Sequence, residues 1–169
     1  MNTIHVQDLI AGKGVRLVTH SRGDLVSFET VLRNPAITTY LTECLTTADY
    51  TASGVFMGGM LESLKALNSD LLPGACLFPH GLLSIARDVG GNTICVDSRT
   101  GWVFFADHGR FDDTGVSYPN PERIGEWIGV DELTYQSILK ALIPLSTSFD
   151  MFLVDLLQDR LEDLLDELG

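Results

Sequence analysis

Basic residues are scarce in this chain. Lys and Arg number 11 against 23 Asp and Glu, a formal net charge of −12. Phosphate backbones are held mainly by Lys and Arg that displace their counterions, so the balance argues against a nucleic-acid binder. It argues equally against adhesion to an anionic membrane surface. No stretch reaches the roughly 18–20 apolar residues of a membrane span. The opening residues Met1 to Asp8 have neither a basic start nor a sustained apolar run, so no secretory leader is expected. Cysteine is sparse too. Cys44, Cys76 and Cys95 are odd in number and far apart, and form neither a C-x-x-C pair nor a disulfide framework. They read as small buried hydrophobes in a reducing compartment, which places the chain in the cytoplasm. Repeats, low-complexity tracts and Pro/Ser-rich linkers are lacking, so one domain is expected. What is plentiful is apolar surface: 45% of residues are hydrophobic, enough for a substantial core and too many for disorder.

The local signals grow clearer along the chain. Residues 2–11 suit a short helix, and 24–33 mix helix and strand signals. Asn34 and Pro35 are a helix start, with Ile37, Tyr40, Leu41 and Leu45 following at helical spacing. A further helix is expected from Met60 to Asn68. Residues 76–108 change character. Leu82 to Arg87, Asn92 to Asp97 and Trp102 to Asp107 read as three strands joined by a Val89-Gly90-Gly91 turn and a Ser98–Gly101 hairpin loop. Gly90 and Gly91 suit the positive φ of a tight turn. Both faces of the third strand are apolar, so the sheet must be covered on both sides, with Trp102 packed in it. Residues 109–120 are polar, and Glu132 to Leu142 look helical. From Phe149 to Leu168 the apolar spacing predicts one long amphipathic helix over 147–168, with Thr147 as N-cap.

Chemical motifs are absent. His5, His20, His80 and His108 lack ligand spacing, and neither a P-loop nor a G-x-S-x-G elbow occurs. A metal site would have to draw on His80, Asp97, Asp107, His108, Asp112 and Asp113. Each has a local explanation: Asp97 flanks a hairpin, Asp107 and His108 end a strand, and Asp112 and Asp113 lie in a polar loop. No two of the 23 acids stand out as a glycosidase pair. We therefore assign no catalytic, cofactor or metal residues. Trp127 lies in a region of weak pattern, where burial is the commoner fate and a surface anchor the alternative.

The run from Gly90 to His108 resembles the signature region of the SUKH superfamily, which takes in the Smi/Knr cell-wall regulators of yeast and many bacterial immunity proteins. Gly90 and Gly91 match its glycine turn, Asp97 its strand-end acid, Val103, Phe104 and Phe105 its aromatic strand, and Asp107 and His108 the end of that strand. Ser148 and Phe149 match the pair that opens its last helix. The likeness covers 76–108 and 146–158. Residues 1–53 lack the superfamily's usual opening, and 109–145 stand as an insertion. The resemblance implies an α+β domain, a curved and mostly antiparallel sheet packed with helices and closed by the long C-terminal helix. It also implies a non-catalytic binding protein without cofactor, most simply an immunity protein that neutralises a toxin. A Smi/Knr-like regulatory scaffold is the alternative, and an unrecognised hydrolase or metal enzyme stands behind both. On the immunity reading the partner is a basic toxin domain, for instance a nuclease, and Asp88, Asp107, Asp112, Asp113 and Trp127 are the candidate contacts.

The charge is uneven. Residues 150–169 hold seven acids against Arg160 alone, a net −6, half of the total. A solvated helix face explains part of this. A negative surface that attracts a basic protein is the other reading.

Overall fold

A computed structural model describes residues 2–168. The first helix, α1 (Thr3–Gly12), is capped by the Asn2 side chain, which accepts from the His5 N–H. A short strand β1 (Leu17–Val18) follows, and the ambiguous stretch 24–33 forms turns around a single 3-10 turn at Val26–Phe28. Next comes α2 (Pro35–Glu43), where the sequence places a helix start. Asn34 Oδ1 accepts from Ala36 N at 3.0 Å and Ile37 N at 3.4 Å, and Pro35 occupies the first turn, where its missing N–H is no loss. Strand β2 (Leu45–Thr46) pairs with β1.

The main sheet starts with a hairpin, β3 (Tyr50–Ala52) and β4 (Val55–Met57), turned at Ser53 and Gly54 with φ of 47° and 77°. Positive φ at both positions matches the twist of the flanking strands. After α3 (Leu61–Ser69) and α4 (Gly74–Leu77) come β5 (Leu82–Arg87), β6 (Thr93–Asp97) and β7 (Val103–Ala106), within a residue of the expected strands. Residues 109–146 hold β8 (Val116–Pro119), β9 (Trp127–Val130), α5 (Tyr135–Ala141) and β10 (Ile143–Ser146), and β10 pairs with β7. The six-stranded order is β10-β7-β6-β5-β4-β3, with every pair antiparallel. The α+β class is as expected.

Strand alternation sorts the side chains into two cores. Leu83, Ile85, Ile94, Val96, Val103 and Phe105 face the larger core with α1 and α2, whereas Leu82, Cys95, Phe104 and Ala106 face the smaller one with α4, α5 and the β8–β9 hairpin. Both sides of β7 are thus covered, as its sequence requires. A register shift between Ser84 and Ala86 interrupts the β5–β6 ladder. Buried Asn68 meets the Ser84 backbone on the edge of β5 away from β6: its carboxamide donates to the Ser84 carbonyl and accepts from the Ser84 N–H, both at 2.8 Å.

The C-terminal segment corrects the sequence reading. The single helix over 147–168 is two, α6 (Phe149–Leu157) and α7 (Glu162–Leu168), and the N-cap is Ser148, whose hydroxyl accepts from Met151 N. Between them Asp159 takes a left-handed φ of 57°. The apolar spacing runs through the break because Phe149, Phe152, Leu153, Leu156, Leu157 and Leu165 all enter the larger core. Trp102 is a second correction. It is 44% exposed at the start of β7, tilted against Phe104 rather than packed within the sheet.

Candidate protein-binding face

The turn from β5 to β6 is built by Asp88. Its carboxylate accepts from the Asn92 N–H at 2.9 Å and the Asn92 carboxamide at 2.8 Å. Gly91 has φ 93°, so the left-handed position is its own, and Gly90 has no positive φ. Asn92 Oδ1 in turn accepts from His108 N at 2.9 Å, tying this turn to the end of β7. There Asp107 caps a 3-10 turn over His108–Arg110 by accepting from Gly109 N.

Arg110 links that turn to the hairpin. Its Nε meets Asp107 Oδ2 at 3.2 Å, its Nη1 donates to the Ala141 carbonyl at 2.9 Å, and its guanidinium lies 5.3 Å from the centre of the Trp127 ring. That separation is within cation–π range. Trp127 is 56% exposed. Asp112 accepts from the N–H groups of Thr114 and Gly115 at 2.8 and 2.6 Å, which hold its carboxyl below the usual carboxylate range. Asp113 beside it is exposed. Asp88, Asp107 and Trp127 are therefore connected through Asn92, His108 and Arg110, with Asp112 and Asp113 on the adjoining turn.

The other motif residues serve the fold. Asp97 is buried at the opposite end of β6, where its carboxylate accepts from Arg99 N, Thr100 Oγ1 and the Tyr135 hydroxyl at 3.0, 2.7 and 2.8 Å. Arg99 stacks on the Tyr135 ring at 3.7 Å. Val103, Phe104 and Phe105 are core residues, and Phe149 packs edge-on against Tyr40. All three thiols are free and buried, and burial pushes each away from the thiolate, Cys44 up to about 12. Among the described residues no group of three His, Cys, Asp or Glu can hold a metal ion. No helix there is long and apolar enough to cross a membrane.

Sequence reasoning missed the β8–β9 hairpin and the part Arg110 plays. The alternation of Val116 and Tyr118 with Ser117, and of Trp127 and Gly129 with Ile128 and Val130, is the signal that marks the hairpin. A second acidic segment coincides with the hairpin. Residues 107–134 carry seven acids (Asp107, Asp112, Asp113, Glu122, Glu126, Asp131, Glu132) against Arg110 and Arg123, a net −5. With −6 on residues 150–169, the remaining residues carry only −1. The second acidic region is thus the hairpin and its flanks, around an exposed tryptophan.

Comparison with protein-family models, curated proteins and solved structures gives no match for this chain.

Proposed function

We propose that this chain is a non-catalytic protein-binding module of the SUKH type, an immunity protein that neutralises a cognate toxin by direct binding in the cytoplasm. One observation carries the reading: exposed Trp127, backed by Arg110, stands in a segment of net charge −5. Aromatic side chains are the commonest interface anchors, and a surrounding acidic field speeds encounter with a basic partner. A basic toxin domain, such as a nuclease with a positive active surface, fits that pattern. The binding needs no cofactor.

The test is co-expression with the product of the adjacent gene. Rescued growth and co-purification of the two chains are expected. No rescue and no complex overturn the proposal. A complex without any effect on growth favours the Smi/Knr-like scaffold instead.

A further inference from the structure

The hairpin that carries Trp127 has an open side. Strand β9 pairs with β8 in the register Val116–Val130, Ser117–Gly129, Tyr118–Ile128 and Pro119–Trp127, and has no other strand partner among the described residues. Asn120 N donates to the Glu126 carbonyl at 2.9 Å. In an antiparallel ladder hydrogen-bonded positions alternate, so Ile128 and Val130 bond to β8 while Trp127 and Gly129 aim their N–H and C=O groups outward. Both outward residues are exposed, and a Cβ built on Gly129 meets nothing within 4 Å. The opposite edge of the hairpin differs: β8 ends in Pro119, which has no N–H to offer.

We propose that the free edge of β9 is a docking strand, which takes an extended basic segment of the partner as a third strand with Trp127 as its side-chain anchor. This rests on the protein-binding reading above and names the geometry of the contact. Unpaired edge groups are a template for strand addition, and main-chain bonds supply affinity while alternate side chains supply selectivity. Gly129 leaves room for another backbone to approach. Charge selects the occupant. Glu126 and Asp131 bracket the strand, with Glu122 and Glu132 just beyond. Lys or Arg on an incoming strand would complement them. A second copy of this chain would set the same acids against each other across one short ribbon, and like charges across strands repel.

The probe is a capped Lys-Val-Lys-Val-Lys-Val peptide added to the full chain, followed by tryptophan fluorescence and by the amide resonances of Trp127 and Gly129. Saturable binding that moves both amides is expected. Replacing Lys by Glu, or N-methylating the peptide amides that face β9, should weaken it by about tenfold or more, the equivalent of one or two main-chain hydrogen bonds. Gly129→Pro should do the same, because its N–H lies outside the β8–β9 ladder. If that variant fails to fold, the N-methylated peptide decides on the unaltered protein. Absence of binding, equal binding of the methylated peptide, or a dimer of the free protein that Gly129→Pro dissolves would each overturn the proposal. If such a failure accompanies intact co-purification with the adjacent gene product, the edge falls and the protein-binding reading stands.

Discussion

The backbone N–H of Ser53 donates to Asp159 Oδ1 at 2.7 Å across 106 residues of sequence, and both residues have left-handed backbone. The bond joins the turn of the β3–β4 hairpin to the break between α6 and α7. Lys13 Nζ meets the other carboxylate oxygen of Asp159, and the Ser53 hydroxyl donates to the Leu156 carbonyl at 2.8 Å. Three distant parts of the chain therefore meet where the last helix bends.

Asp159 should affect stability in a pH-dependent way. The Lys13 ammonium, and after it the Ser53 N–H, hold its carboxyl below the usual carboxylate range. A carboxyl with a lowered folded pKa stabilises the fold above its unfolded value, and the contribution is lost as pH falls through the folded value. Asp159→Asn tolerates the left-handed backbone and should cost under about 1 kcal/mol at neutral pH, since the side chain is half exposed. That gap should narrow as pH falls from about 4 through the folded value. Asp159→Ala should cost about 1–3 kcal/mol, because it adds left-handed strain and leaves the Ser53 N–H unmet. Urea unfolding at pH 7 and pH 3 measures both, and a gap that widens in acid would contradict this account.

Tyr135→Phe isolates one hydrogen bond to a buried acid. The ring that Arg99 covers is kept, but the Asp97 carboxylate loses one of its three donors. A loss of about 1–2 kcal/mol is expected, with the hairpin loop at Arg99 and Thr100 exchanging its amides faster. An unchanged unfolding midpoint would mean that water replaces the hydroxyl.

Asn68→Ala removes the side chain that holds the Ser84 backbone in β5. The Ser84 N–H and carbonyl, both deep in the protein, then lack their partner. Roughly 2–4 kcal/mol should be lost, the cost of leaving two buried polar groups unmet. Asn68→Asp should be no better, because a carboxylate cannot donate to the Ser84 carbonyl. Chemical denaturation ranks the two variants, and hydrogen exchange at Ser84 shows whether the loss is local.

On the acidic hairpin, charge and structure can be separated. Asp113→Asn should slow association with the co-purified partner about twofold and flatten its salt dependence, with the unfolding midpoint unmoved. Asp112→Asn should also loosen the turn, since its carboxylate accepts the Thr114 and Gly115 amides. Trp127→Ala should act mainly on dissociation, as expected of an exposed anchor. Stopped-flow traces at low and high salt distinguish these effects.

The sequence by itself determined those features whose cause is local. The Asn34–Pro35 cap starts α2 because the capping bonds span two and three residues. The alternation in 82–106 settles three strands and requires cover on both faces, because side chains on a strand point to opposite sides. It also shows a heavily acidic chain. Only the tertiary structure decided where the last helix breaks: Asp159 leaves the helix for partners at Ser53 and Lys13, and no neighbour in sequence announces that. Likewise the Asp88 turn, Arg110 and Trp127 are linked by contacts only because β5, β6 and β7 align their ends and the β8–β9 hairpin packs beside them. Periodicity records which side of an element is apolar. Which distant groups meet is set by register and packing, and those are properties of the folded whole.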